Sequence, residues 1–362
     1  MADTDGMIVR EEQIPVPKAG IAEPADGIIQ TMPEGSIIPE QDDTGTEAPV
    51  HIAQNESAGD QAAQTRSGVV CIIGRPSAGK STFLNSVCGG TVSIVSALPQ
   101  TTRSSIRGIL TTTQGQIIFI DTPGYHISEK KMNRRLQLIA ENQLEEAEAV
   151  LYLIDATRPF GEEELAICHL LKGKEERLIA GVNKVDSPLA RIGQTRISLM
   201  QALPCLSQEH IFDLSAQKKT GFDPLLAALF SVLPEGGLLY PEDFYTDQPV
   251  EFRIAEIIRG QAISRLYEEI PHALYVNIQD MEMKKNGKEL FVRAFLCVER
   301  ESQKAMVIGK GASLIKAIRL EAQKELCKIF PYRVLLDLQV RVDKNWRQKD
   351  SVLDLLFLDE TL

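Results

Sequence analysis

The chain has 362 residues, 43% hydrophobic and 25% charged, enough for two ordinary domains and a further segment. Its formal charge of -11 would argue against a nucleic-acid partner, but residues 1–65 hold 13 acidic residues against only Arg10 and Lys18, so the rest of the chain is balanced. No basic and apolar leader opens the sequence and no apolar run reaches the ~18 residues of a membrane span, which argues against a membrane-spanning protein and predicts a cytoplasmic one.

Residues 1–66 mix Pro, Gly, Ala and acids without helical or strand periodicity, and a disordered acidic extension is expected there. The character changes at Val69. GVVCIIG reads as a buried strand, leading through a glycine-rich loop into a helix, KSTFLNSVCG, that Gly89 ends. Apolar strands recur at QIIFIDT, AVLYLIDAT, RLIAGVNKVD and IFDLSA, with helical patterns such as NRRLQLIAENQLEEAE between them and GFDPLLAALFSVLP after the last. That alternation predicts an α/β domain over 67–236, with a mainly parallel sheet covered on both faces. Residues 237–250, rich in Pro, Gly and acids, form the expected linker. An α+β domain is expected over 251–350. It contains a helix EFRIAEIIRGQAISRLY, strands ALYVNIQDM and ELFVRAFLCVER, a helix after GKGA, and a last strand in VLLDLQVRVDKNW; 351–362 is left as a tail. The six cysteines show no CxxC and no paired spacing, so buried reduced thiols are expected rather than a metal site.

Three motifs fall at strand ends. GRPSAGKS at 74–81 matches GxxxxGK[ST] between a strand and a helix, the context that motif requires. Gly74 and Gly79 let backbone N–H groups turn toward phosphates, Lys80 places a cation on the β and γ oxygens, and the Ser81 hydroxyl suits Mg²⁺. The nucleotide-contacting set is Gly74, Arg75, Pro76, Ser77, Ala78, Gly79, Lys80, Ser81 and Thr82. DTPG at 121–124 is by itself an ordinary turn. About 40 residues beyond Lys80 and at a strand end, however, Asp121 can orient Mg²⁺ through water and Gly124 can offer its N–H to a γ-phosphate. In NKVD at 183–186 the Asp186 carboxylate can accept from both N1–H and the exocyclic amine of guanine, a pairing adenine cannot return. Asn183 can reach the base edge and brace the loop, and the Lys184 stem covers the base. Ser215 and Ala216, after IFDL, are expected to present backbone N–H to the guanine carbonyl.

These elements, together with PQTTRSSIRGIL at 99–110, resemble the Era-type GTPases of ribosome assembly over residues 68 to 350. The resemblance implies a P-loop GTPase domain followed by a type II KH domain, with GTP and GDP as ligands and Mg²⁺ as cofactor. Its switch I threonine is carried to Thr102, with Thr101 as the alternative, so Ser81, Thr102 and Asp121 form the implied metal set. Lys80, Thr102 and Gly124 form the implied catalytic set. Many relatives have asparagine where this loop has Ser77, and that asparagine is associated with a potassium ion; serine keeps one oxygen but shortens the reach, which argues against potassium activation while leaving it open. Tyr125 follows DTPG where Ras-like proteins carry a water-aligning glutamine, and His126 is read as a bystander. Slow intrinsic hydrolysis is therefore expected, by in-line attack of water.

MVIGKGASLIKAIRLEAQKEL resembles the KH motif, whose GxxG loop clamps the backbone of single-stranded RNA. Here the loop reads Gly309, Lys310, Gly311, Ala312, and a methyl at the fourth position is expected to weaken binding wherever positive φ or close approach is required. Residues 250–349 carry 19 basic against 13 acidic residues, and Lys310, Lys316 and Arg319 are placed to meet phosphates. Ile308, Ile315 and Ile318 are read as packing, Lys324 and Lys328 as a solvated face. Trp346 is open to two readings, stacking on a base or packing on a C-terminal helix. The resemblance further implies the 3′ region of small-subunit (16S) ribosomal RNA as partner, 30S precursors as the working substrate, a monomer, and at most peripheral membrane association. Ser77 and Ala312 motivate a competing reading, a nucleotide-gated RNA scaffold with negligible turnover.

Overall fold

The computed structural model describes residues 65–94, 106–122 and 131–357. The acidic extension lies outside these ranges, as do Thr101, Thr102, Gly124, Tyr125 and His126.

The first domain contains β1 (Arg66–Ile73), α1 (Lys80–Cys88), β2 (Ile106–Thr112), β3 (Gly115–Asp121), α2 (Lys131–Glu146), β4 (Ala149–Asp155), α3 (Glu162–Leu171), β5 (Leu178–Asn183), α4 (Ile192–Ala202), β6 (Ile211–Asp213) and α5 (Phe222–Val232). Its six strands run in the order β2-β3-β1-β4-β5-β6, parallel throughout except that β2 is antiparallel to β3. Alternate β1 residues feed opposite cores. Val70 and Ile72 meet Phe83, Leu84, Leu225 and Leu229 on one face, whereas Cys71 and Ile73 meet Leu144, Ile167 and Leu199 on the other. Burial on both faces is why these strands read as unbroken apolar runs. β2 was not anticipated as a strand: it is an edge strand whose exposed positions break the apolar pattern, and it follows a polar stretch.

The linker is fastened to that edge strand and to its neighbour β3. Ile109 N donates to Tyr245 O, Thr246 Oγ1 to Arg107 O, and the buried Gln116 side chain bonds the main chain of Leu239 and Tyr240. The second domain then runs α6 (Val250–Ile263), β7 (Leu274–Lys284), β8 (Glu289–Val298), α7 (Glu301–Ile308), α8 (Ser313–Ile329) and β9 (Arg333–Val342). β7 and β8 pair antiparallel, β8 and β9 parallel. This α-β-β-α-α-β order is that expected of a type II KH domain. Ile318 is fully buried in its core and Ile315 partly so, while at the end of α7 it is Val307 rather than Ile308 that is buried.

The structure decides between the two readings of Trp346 in favour of packing, and it changes two expectations, the tail and the burial of the cysteines. Trp346 is completely buried, its Nε1 donating to Ala273 O at 3.0 Å and its ring against Tyr275, so it stacks on no ligand. It is covered by α9 (Asp350–Phe357), which occupies most of the supposed tail and contributes the buried Leu353. Leu136 and Ile139 of α2 join the same cluster, so the helix that follows the DTPG segment is packed into the second domain. All six cysteines are free, but Cys205 and Cys327 are exposed, against the expectation of burial. Burial pushes the thiols of Cys71, Cys88 and Cys168 up to about 12 and that of Cys297 to about 11.

Candidate functional site

The loop between β1 and α1 carries two left-handed residues, Ser77 (φ +64°) and Gly79 (φ +98°), which turn the chain into a cradle. A Cβ at Gly79 would fall well inside contact distance of Asn183 Nδ2, so only glycine fits. α1 begins at Lys80, and the unpaired N–H groups of its first turn face the cradle. Lys80 is buried, with Nζ donating to Gly74 O at 2.9 Å and Arg75 O at 3.2 Å. Burial pushes its ammonium below the ordinary lysine range, and nearby Asp121 works in the other direction. Ser81 Oγ donates to Asp121 Oδ2 at 2.7 Å, bringing together two of the three oxygens expected to serve a metal. Ser93 Oγ donates to the same Asp121 oxygen at 2.9 Å, a contact the sequence reading missed. Asn85 on α1 fixes that segment by accepting from Val92 N and Ser93 N and donating to Ser93 O.

Asn183, at the end of β5, joins three loops. Its Nδ2 donates to Ala78 O in the phosphate loop at 2.8 Å, and its Oδ1 accepts from Lys184 N at 2.8 Å and Ala216 N at 2.9 Å. Lys184 takes a left-handed conformation (φ +67°) that directs the loop outward, and Asp186 is exposed with no hydrogen bond or ion pair among the described residues. Ser215 N–H goes to Thr220 O and Ala216 N–H to Asn183 Oδ1. Both donors expected for a guanine carbonyl are thus already bonded within the protein, and either serves a ligand only by sharing or exchanging its partner.

Arg75 departs from the expected pattern. Its side chain turns inward and is 4% exposed, with Nη1 2.8 Å from Glu164 Oε1 and Nη2 3.9 Å from Asp155 Oδ2. Any phosphate contact from Arg75 therefore comes from its main chain. Glu164 Oε2 accepts from Gly161 N at the start of α3. Asp155 Oδ2 accepts from Lys184 Nζ at 2.7 Å, and Oδ1 from Thr157 N and Oγ1 at 2.9 and 2.6 Å. Burial works to raise the Asp155 carboxyl, but the Lys184 ammonium and the Thr157 donors outweigh it and hold it below the usual carboxylate range.

In the second domain the Gly309–Ala312 loop joins α7 to α8 with Gly309, Gly311 and Ala312 all at positive φ (+72°, +59° and +58°). Ala312 accordingly sits where its methyl is unfavourable. A Cβ at Gly309 would stand 2.9 Å from Leu314 Cβ. Lys310 and Lys316 are exposed, and Arg319 is half-buried with Nη1 3.5 Å from Gln323 Oε1. Beside the loop lies an open cleft of about 660 Å³ lined by Arg265, Tyr267, Met306, Leu314 and Ala317. Tyr267 is 77% exposed there, an aromatic face that sequence reasoning overlooked.

Comparison with known proteins agrees with both halves. A profile for the 50S ribosome-binding GTPase family matches residues 69–184, and one for the KH domain matches residues 269–347. The chain is 62% identical over 287 residues to GTPase Era of Treponema denticola, covering 79% of this chain and 98% of that protein. It is 48% identical over 312 residues to GTPase Era of Treponema pallidum, covering 81% and 98%. Among solved structures, a point variant of Aquifex aeolicus Era bound to GDP.AlF4- superposes with a TM-score of 0.76 at 32% identity, covering 81% of this chain and 99% of that one. Era in complex with MgGDPNP and nucleotides 1506-1542 of 16S ribosomal RNA superposes with a TM-score of 0.74 at 33% identity, covering 81% and 98%. With both domains matched in order and relatives this similar along nearly their whole length, the chain belongs to the Era family of GTPases.

Proposed function

We propose that this GTPase uses the β1–α1 cradle for the phosphates of GTP and GDP, NKVD for guanine, and the GKGA loop for small-subunit ribosomal RNA during 30S assembly. The observation that carries the reading is Asn183, which ties the phosphate cradle to the base loop so that one rigid unit faces a whole nucleotide. Ser81 and Asp121 supply hard oxygens suited to Mg²⁺. With Thr102 they are the residues that would hold the ion, which when bound neutralises charge on the β and γ oxygens. Lys80 lies against the same loop as a fixed cation, and Gly124 N–H is assigned to the γ-phosphate. Asp186 accepts from the guanine edge, and its exposed, unengaged carboxylate suits that task.

For RNA, Lys310 and Lys316 meet phosphates electrostatically while Gly309 and Gly311 allow close backbone approach. The Era complex with MgGDPNP and 16S rRNA nucleotides supports both the metal and this RNA class. No described helix is long and apolar enough to cross a membrane, which supports reading any membrane association as peripheral. The protein is read as a cytoplasmic monomer.

Single-turnover GTP hydrolysis, with and without RNA and in potassium or sodium, tests the reading. Phosphate release equal in the two salts is the expected outcome for Ser77. The Ser77→Asn variant should acquire a potassium preference, because asparagine tolerates the left-handed backbone found there. No phosphate release under any condition would overturn the reading.

A further inference from the structure

A row of four alternating charges runs beneath the nucleotide site: Glu164, Arg75, Asp155, Lys184. It begins at the first turn of α3, passes through the second residue of the phosphate motif, crosses to the end of β4, and surfaces in the base-reading loop. The three inner side chains are at most 4% exposed, whereas that of Lys184 is 36% exposed. Asp155 and Asn183 are direct partners in the β4–β5 register, so the acid that holds Lys184 and the amide that braces the loop sit side by side.

We infer that Asp155 is a positioning residue for guanine: it anchors the Lys184 ammonium so that the lysine stem is laid out as a flat platform before the base arrives. This rests on the reading of NKVD as the guanine reader. A free lysine side chain has substantial rotamer entropy to lose, and ordering it in advance removes much of that cost from binding. Thr157 fixes the other carboxylate oxygen, so the anchor cannot rotate away. Arg75 belongs to the same device. Glu164 holds one end of its guanidinium, leaving the other facing Asp155 at 3.9 Å. A residue inside the phosphate motif thereby acts on the base side of the site, and phosphate binding is left to main-chain N–H groups and Lys80.

The test compares Asp155→Asn, Lys184→Met and the double variant in the full chain. Asparagine keeps an oxygen for Thr157 but loses the charge, while methionine keeps most of the stem and loses the ammonium. Affinity for GDP and for inorganic tripolyphosphate is measured for each, with thermal unfolding alongside. Asp155→Asn should weaken GDP by about tenfold or more, the scale of one charge-assisted hydrogen bond, and leave tripolyphosphate within about twofold. In the Lys184→Met background Asp155→Asn should change GDP affinity no further. Fully additive losses, or equal losses for GDP and tripolyphosphate, would overturn the assignment, because Asp155 would then act on the fold or on the phosphate loop. Should Asp155→Asn fail to fold, Lys184→Met decides, since its side chain is partly exposed: unchanged GDP affinity in it would overturn the proposal. Asp186→Asn separates the two claims. If it loses GTP and gains xanthosine triphosphate while Asp155→Asn binds GDP normally, the guanine reading stands and only the anchor fails. If Asp186→Asn leaves GTP affinity unchanged, both fall.

Discussion

The phosphate loop and the KH loop are both short turns with a non-glycine residue forced to positive φ, yet they are built oppositely. Around Ser77 the turn is braced from behind, by Lys80 on its carbonyls, by Asn183 on Ala78 O, and by Glu164 on Arg75. Around Ala312 only the start of the turn is close-packed, Gly309 against Leu314; at its tip no atom beyond the chain neighbours lies within 4 Å of where a Cβ on Gly311 would go, and Lys310 is exposed. A nucleotide has far fewer conformations than a polymer, and a preorganised cradle loses little entropy in binding it. A single-stranded polymer arrives in many shapes, and a loop that meets it mainly through charge and bare backbone can adjust.

Substitutions in the two loops should therefore differ in size. Gly79→Ala is expected to have the largest effect, abolishing nucleotide binding at micromolar protein. It combines a strained φ of +98° with a clash against the very amide that links base and phosphate loops. Titration with a fluorescent GDP reads it, and retained binding would show the cradle to be less rigid than drawn. Lys310→Glu comes next. Reversing one exposed phosphate contact should weaken RNA by about tenfold and flatten the dependence on salt by about one unit of slope, leaving GDP affinity intact. Loss of both affinities would break the contrast. Ala312→Gly is the smallest and has the opposite sign. Relieving a left-handed alanine should raise stability by about 1 kcal/mol and strengthen RNA binding modestly, as read by urea unfolding and RNA titration. A destabilised variant would mean that the methyl makes a contact worth more than its strain.

What the sequence made legible follows the same division. Motif residues are contiguous, so the cradle, DTPG, NKVD and GKGA were visible as strings, and two-sided burial made the parallel strands visible as apolar runs. The braces were not, because most join residues far apart in the chain: Arg75 to Glu164, Asp155 to Lys184, Asn183 to Ala78. Arg75 shows the cost of this. Inside a phosphate motif an arginine reads as a phosphate ligand, and only the buried Glu164 explains why it points the other way. Trp346 could not be decided from its neighbourhood for a related reason. VDKN before it is polar and suggests exposure, a C-terminal helix suggests packing, and the contribution of α2 to its cover comes from about two hundred residues away in the chain. Ser93 carried no signal at all, being one serine among several before a polar segment.

That buried indole has a practical consequence. It is the single tryptophan in 362 residues, and it sits where α2 of the GTPase domain meets the KH domain. The protein thus carries its own optical reporter at the junction, with no label needed. Emission from a dry indole bonded to Ala273 O should be blue, and any event that pries α2 from that cluster should shift it to the red and open it to quenchers. Mixing with GTP, then GDP, in a stopped-flow fluorimeter would show directly whether nucleotide turnover is felt at Trp346.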